Sequence, residues 1–224
     1  ETNVTRPNIL FLLPDQLRGD WIGAAQSYYP VDTPNIDQLA ATGLRCSKTW
    51  TPSPICAAAR ACIATGQNYD RSLVKHNNEN LPLDADTFYR RIRDNGYCVV
   101  STGKVDLLKG EMDWGQDGQH IVDGQNQLHE LGFSGGIDSA GKHDALRGRE
   151  RGKQEPYFHY LTGLGLDKVH ADDYAGREPA EFSQTIAQAS ASKLAPPPAY
   201  ANTDLSPLPE VAYNDNWVGA LACE

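Results

Sequence analysis

No uninterrupted apolar run in this sequence approaches the roughly eighteen residues that a membrane-crossing helix needs, so none is expected to span a bilayer. Positive charge is scarce. Twenty Lys and Arg stand against twenty-nine Asp and Glu, for a net charge of -9. That balance argues against a protein that tracks a nucleic-acid backbone, which needs a basic face. It does not exclude anionic substrates, because a small basic pocket can sit inside an acidic protein. Cysteine is sparse and shows no zinc or redox spacing: Cys46, Cys56, Cys62, Cys98 and Cys223 include no CxxC pair. The odd count leaves at least one thiol free or paired outside the chain, and the three in apolar stretches read as buried thiols. No internal repeat is present. No charged-then-apolar leader precedes Pro7, and the compartment stays open.

What is present is enough for one sizeable α/β core, or a domain and a half, in 224 residues. Ile9-Leu10-Phe11-Leu12-Leu13 is a short apolar run of the kind found in strands covered on both faces, although period alone leaves a buried helix open. It stops at Pro14-Asp15-Gln16, and the C-terminal ends of central strands are where open α/β sheets place their sites. Thr33-Pro34 predicts a helix start, with Thr33 as N-cap, Ile36, Leu39 and Ala40 on one face, and Gly43 as its end. Residues 44–51 read as a second extended segment. Pro52 and Pro54 force a non-helical approach to Cys56, and the Ala-rich run from Cys56 to Thr65 predicts a helix closed by Gly66.

Residues 84–95 predict another helix, with Phe88 and Ile92 four apart and Gly96 as its stop. Tyr97 to Thr102 reads as a third strand that runs into Gly103-Lys104. Strand, helix, strand, helix, strand is the α/β pattern. Residues 134–155 carry five glycines among many charges and read as an exposed excursion. Residues 195–209, with Pro196-Pro197-Pro198, Pro207 and Pro209, read as a stiff connection, and helix resumes from Glu210.

The sharpest local feature is Pro52-Ser53-Pro54-Ile55-Cys56-Ala57-Ala58-Ala59-Arg60. With Cys56 in the first helical turn, Arg60 at i+4 shares its face. A helix N-terminus offers free N–H groups and partial positive charge. Arg60 adds a forked donor matched to a tetrahedral oxyanion. A nucleophile, a helix N-terminus and an arginine thus converge on the space one sulfate or phosphate would fill. Taken alone, a Cys near an Arg on an Ala-rich helix is more often packing than catalysis.

Cys56-x-Ala58-x-Arg60, followed by an Ala-rich helix ending in Thr65-Gly66, resembles the signature of type I, formylglycine-dependent sulfatases of the alkaline phosphatase superfamily. Ala58 stands where the commoner form has Pro, a variant familiar in bacterial members. Arg6 to Gln16 resembles the family's opening strand, Thr33 to Ala40 its first helix, and Thr102-Gly103-Lys104 the strand end whose Lys contacts sulfate. The match covers roughly residues 6–108. It implies an α/β, alkaline-phosphatase-like sandwich with a central, mostly parallel sheet flanked by helices, incomplete in this chain. Residues 1–133 would be the N-terminal part of the catalytic domain, 134–209 an excursion, and 210–224 the start of the next helix.

The resemblance also implies a chemistry. Cys56 would be oxidised to formylglycine by a maturation enzyme, and one hydroxyl of its hydrate would attack a sulfate ester. Asp15, Gln16 and the modified Cys56 would ligate a divalent cation, with calcium favoured and magnesium or manganese as alternatives. Gln16 stands where many members have a second Asp. Arg60 and Lys104 would stabilise transition-state charge. Asp106 stands where the family has a His that helps expel sulfate; it could act as a base, bind the sugar, or leave that role to a residue elsewhere. His76, beside Asn77 and Asn78, could line the substrate pocket or belong to a polar loop patch. The other histidines show no ligand spacing. Further family ligands have no counterpart here, so the chain is expected to need the remainder of a longer sulfatase. Bacterial cytoplasm and periplasm or secretion stay open.

The expected substrate is a sulfate monoester, with a sulfated carbohydrate preferred on the family's base rate. Two rivals are a phosphonate or phosphate ester hydrolase of the same fold and an inactive module that binds sulfated glycans. A cysteine phosphatase is rejected, because its Cys-x5-Arg spacing differs from the three intervening residues here.

Overall fold

The computed structural model describes residues 6–25, 31–110, 115, 119–120, 124–152, 155–177 and 204–224. It divides into two compact units, Glu1–Pro52 and Ser53–Glu224.

In the first unit the chain forms helix α1 (Pro34–Thr42), preceded by two short 3-10 turns, Gly19–Trp21 and Gly23–Ala25. The predicted start and end of α1 are found. Thr33 does not cap its own helix with its side chain, however. Its hydroxyl accepts from the Gly23 N–H at 2.9 Å and donates to Asp37 Oδ1 at 3.0 Å, and the same Asp37 oxygen accepts from the Ala24 N–H at 2.7 Å. Thr33 and Asp37 therefore tie the helix to the preceding turn.

The strands read from residues 9–13 and 44–51 are not formed. Ile9 to Leu13 are 37–78% exposed, and Leu44 and Trp50 more so. A strand exists through the ladder its backbone makes with a neighbour, and among the described residues only two strands pair, both in the second unit.

That unit opens with α2 (Cys56–Thr65), closed by Gly66 in the left-handed conformation at φ 66°. The helix matches the expectation from sequence at both ends. Ala57, Ala61 and Ala64 share one face and are buried against Val74, Leu81, Leu107, Leu108, Leu128, Leu131 and Phe133. Small side chains let the helix axis approach these larger neighbours closely.

Helix α3 (Phe88–Asp94) starts four residues later than the sequence suggests. Thr87 is fully buried, and its hydroxyl accepts from Arg90 N at 3.1 Å and donates to the Leu131 carbonyl at 2.5 Å. A capping threonine sets the helix boundary where the propensity of residues 84–86 alone does not.

Strand β1 (Val100–Gly103) then leads through helix α4 (Gln127–Glu130) to strand β2 (Gly135–Asp138). The two pair in parallel, Val100 with Gly135 through Gly103 with Asp138. Bonds from Ser134 N to Val99 O and from Ser139 N to Gly103 O extend the ladder at both ends.

Strand β2 corrects the reading of residues 134–155 as an exposed excursion. Gly136 has φ 128°, and a Cβ there would lie 2.0 Å from the Ser101 carbonyl oxygen. The glycine that looks like loop composition is what lets β1 approach.

Helices α5 (Lys142–Glu150), α6 (Pro156–Gly163) and α7 (Asp167–Arg177) follow, and α8 (Asn214–Leu221) comes after a 3-10 turn at Glu210–Ala212. Tyr157, Leu161, Leu208, Ala212 and Trp217 form a second core cluster, closed by a bond from the Tyr157 hydroxyl to the Ala212 carbonyl at 2.8 Å. Leu208 thus belongs to the core, while the predicted Pro196–Pro198 connection lies outside the described residues. No helix among the described residues is long and apolar enough to cross a membrane.

Candidate active site

Cys56 is the first residue of α2, half-buried, with a free thiol. The chain reaches it extended, with Ile55 at φ -96° and ψ 127°. The buried Ser53 hydroxyl accepts from Ile55 N at 3.1 Å. One N–H of the first turn, that of Ala57, is bound by the side-chain oxygen of Asn77 at 3.1 Å. The loop that carries His76 is therefore held at the N-terminus of α2. His76 itself is exposed, and its backbone N–H donates to Glu79 at 3.1 Å.

Arg60 lies one turn on from Cys56, as its spacing requires. Its guanidinium Nη1 donates to the carbonyl oxygen of Lys104, just beyond β1. One donor of the fork expected to face an anion is thus committed to joining α2 to the strand end. The remaining N–H groups keep the fork available to a ligand.

The Lys104 side chain passes Gly141, where a Cβ would touch its ammonium at 3.5 Å. It ends 3.4 Å from Asp106 Oδ2. Asp106 is only 6% exposed and has φ 53°, a left-handed conformation that Asp tolerates better than most residues. The same Oδ2 accepts from Lys109 at 2.8 Å, and Lys109 reaches Asp144 Oδ2 at 2.9 Å.

Beside this chain of charges a small pocket is lined by Asp106, Leu108, Lys109, Asp138, Ser139, Ala140 and Glu155. Asp138 closes β2, and its Oδ1 accepts from Val105 N at 2.9 Å. Burial pushes its carboxyl up to about 7. The Val105 N–H and the Arg60 charge oppose that rise, and the charges of Asp106 and Glu155 add to it. Glu155 caps α6 by accepting from Phe158 N at 2.8 Å, and it accepts from Ala140 N at 3.0 Å. Burial nevertheless raises its carboxyl to about 7. Burial of Lys109 works against its charge, but the Asp106 and Asp144 carboxylates outweigh it and hold the ammonium above its usual range.

Asp15 and Gln16 belong to the first unit. They form an exposed turn in which Gln16 takes φ 55°. Their side chains offer the hard oxygen donors suited to calcium or magnesium. Among the described residues no group of three or more His, Cys, Asp or Glu side chains is placed to hold a metal ion. The donors therefore fit such a cation in kind but not in number, since calcium takes about six to eight oxygens.

Within the second unit the structure joins Arg60, Lys104 and Asp106 into one connected set and places the Asn77 side chain against the N-terminus of the helix that begins at Cys56. Sequence reasoning missed Asn77 as a cap, and also Lys109, Asp138 and Glu155. Glu155 carried a signal, a capping residue directly before Pro156. Lys109 and Asp138 carried none, because their partners are distant in sequence.

The family model described as Sulfatase matches residues 7–175. The chain is 36% identical over 132 residues to the uncharacterised sulfatase YidJ of Escherichia coli, which is 56% of this chain and 26% of that protein. It is 30% identical over 167 residues to an N-acetylglucosamine-6-O-sulfatase of Bacteroides thetaiotaomicron, 73% of this chain and 27% of that one. It is 32% identical over 103 residues to a choline-sulfatase of Rhizobium meliloti, 46% and 20% respectively. The matched region thus spans about a quarter of the length of these relatives. No match to a solved structure reaches significance. With three quarters of the sequence under that family model and four motifs in the family's order, this chain belongs to the sulfatase family.

Proposed function

We propose that this chain supplies the nucleophile and sulfate-binding part of a sulfatase that hydrolyses sulfate monoesters, with Cys56 as the site of formylglycine formation. The observation that carries the reading is the seat of Cys56 at the head of α2, one turn from an arginine anchored at the strand end that bears Lys104. Formylglycine, once formed, supplies a hydrated aldehyde whose hydroxyl is the nucleophile toward sulfur. The residues around it have their own tasks. Helix α2 offers the partial positive charge of its N-terminus, Arg60 offers its uncommitted N–H groups to sulfate oxygens, and Lys104 adds a point charge.

Asp15 and Gln16 would contribute two of the oxygen donors to a divalent cation, with calcium favoured, and the remaining donors would come from elsewhere in the full sulfatase. Such a cation would supply positive charge able to offset the charge of a sulfate group. The carbohydrate preference is supported by the resemblance to the N-acetylglucosamine-6-O-sulfatase, which aligns over 73% of this chain. A maturation enzyme and the remainder of the sulfatase chain are the partners this reading requires.

The test is the mass of the peptide containing Cys56, taken from full-length protein co-expressed in turn with a formylglycine-generating enzyme and with an anaerobic maturation enzyme. A loss of about 18 Da marks conversion of thiol to aldehyde and hence the activated nucleophile. Turnover of an aryl sulfate should accompany it and vanish in Cys56→Ala. A thiol of unchanged mass under these conditions refutes the hydrolase reading.

A further inference from the structure

The Lys104, Asp106, Lys109 and Asp144 side chains alternate in sign along a mostly buried line from the end of β1 to the first turn of α5. Its members differ in what they can reach. Asp106 and Lys109 side chains are each 6% exposed, whereas Lys104 is 16% and Asp144 23%. Asp106 is thus poorly placed to meet an extended substrate. One of its oxygens, Oδ2, already faces two ammonium groups, with Lys109 the nearer at 2.8 Å and Lys104 at 3.4 Å. The left-handed backbone at Asp106 turns its carboxylate into this line, a local cost that persists only where surrounding contacts hold it. Gly141 completes the seat, since the Lys104 chain runs where a Cβ would touch it.

We propose that Asp106 is a positioning residue that anchors the Lys104 ammonium, and that Lys109 sets the strength of this anchor by sharing the same carboxylate oxygen. The proposal rests on the reading of Lys104 as a sulfate contact and assigns Asp106 neither proton transfer nor sugar binding. Lys109 neutralises much of the Asp106 charge, so Lys104 is held in place without being withdrawn from an incoming anion. Without Asp106, the Lys104 ammonium would lose one carboxylate and feel the Lys109 charge unscreened, which favours a more outward position. Without Lys109, the full Asp106 charge would fall on Lys104 and draw it inward. The two substitutions should therefore act on Lys104 in opposite directions, which loosening of a merely structural element would not produce.

The experiment is acylation of Lys104 by a limiting amine-reactive reagent in the full-length protein, read by fragment-ion mass spectrometry that separates Lys104 from Lys109. Asp106→Asn should label Lys104 roughly tenfold faster, the scale of losing one close, mostly buried ion pair. Lys109→Met should label it more slowly than wild type, and Lys109→Arg should restore the wild-type rate. Far-UV circular dichroism checks that each variant is folded. If Asp106→Asn does not fold, Lys109→Met decides alone, slower labelling supporting the anchor and faster labelling overturning it. Unchanged Lys104 labelling in Asp106→Asn, or faster labelling in both variants, also overturns the proposal. In sulfate-ester turnover the anchor predicts a kcat loss of roughly 10- to 100-fold in Asp106→Asn, typical of a group that orients an active-site residue. Absence of turnover in every form, wild type included, would defeat the sulfatase reading and leave the labelling result to decide the anchor.

Discussion

Replacing Asp138 by Asn should change how stability depends on pH, by an amount that follows from burial. The Asp138 carboxyl rises from an ordinary 3.8 to about 7 in the fold, chiefly because burial disfavours its charged form. A rise of that size corresponds to on the order of 4 kcal/mol between protonated and ionised states. The folded state holds this proton more tightly than the unfolded chain, which binds fewer protons between about pH 4 and 7. The stabilisation is therefore fully present below the unfolded value, is lost as pH rises through about 7, and stays lost above it.

The amide introduced by Asp138→Asn would be neutral at every pH and would retain an Oδ1 acceptor for the Val105 N–H. Urea unfolding of wild type and Asp138→Asn, followed by tryptophan fluorescence at several pH values, isolates this contribution. Relative to wild type, the variant should gain on the order of 3 kcal/mol between about pH 5 and pH 8. Glu155, also raised to about 7, remains in both proteins and slopes in the same direction in each. A stability gap that stays constant across this range would refute the assignment of a buried, proton-retaining carboxyl to Asp138.

Two further predictions concern the frame around the site. Gly136→Ala should destabilise the protein by about 3 kcal/mol, combining strain at a positive φ with a clash against the Ser101 backbone. Its urea midpoint should fall accordingly, and a midpoint equal to wild type would show that β1 and β2 are not so close. Thr87→Val should cost about 1–3 kcal/mol, because it removes the α3 cap and leaves the buried Leu131 carbonyl without its hydroxyl donor. Amide exchange at Arg90 should rise in that variant, and unchanged protection there would exclude the cap.

The features legible in the sequence are those whose causes lie within a few residues. Helix α2 is bounded by Pro54 before Cys56 and by Gly66 after Thr65, and α1 by Thr33-Pro34 and Gly43, so local dihedral restrictions and capping suffice to place them. The spacing of Cys56 and Arg60 likewise needs only the helical repeat, and together with the other ordered motifs it carried the family. Partners distant along the chain decided the rest. Gly135-Gly136 became a strand because β1 pairs with it, and Ile9 to Leu13 formed none because a strand needs a ladder and not only apolar side chains. Residues 84–86 stayed out of α3 because Thr87 is held by Leu131, forty-four positions away. The commitment of Arg60 to the Lys104 carbonyl, the sharing of Asp106 by two lysines and the upward shift of the Asp138 carboxyl all depend on burial and on charges brought together by folding. Local pattern sets where α1 and α2 begin and which residues can do chemistry, and only the packed structure sets their electrostatic surroundings, because solvent exclusion and charge proximity are properties of the whole fold.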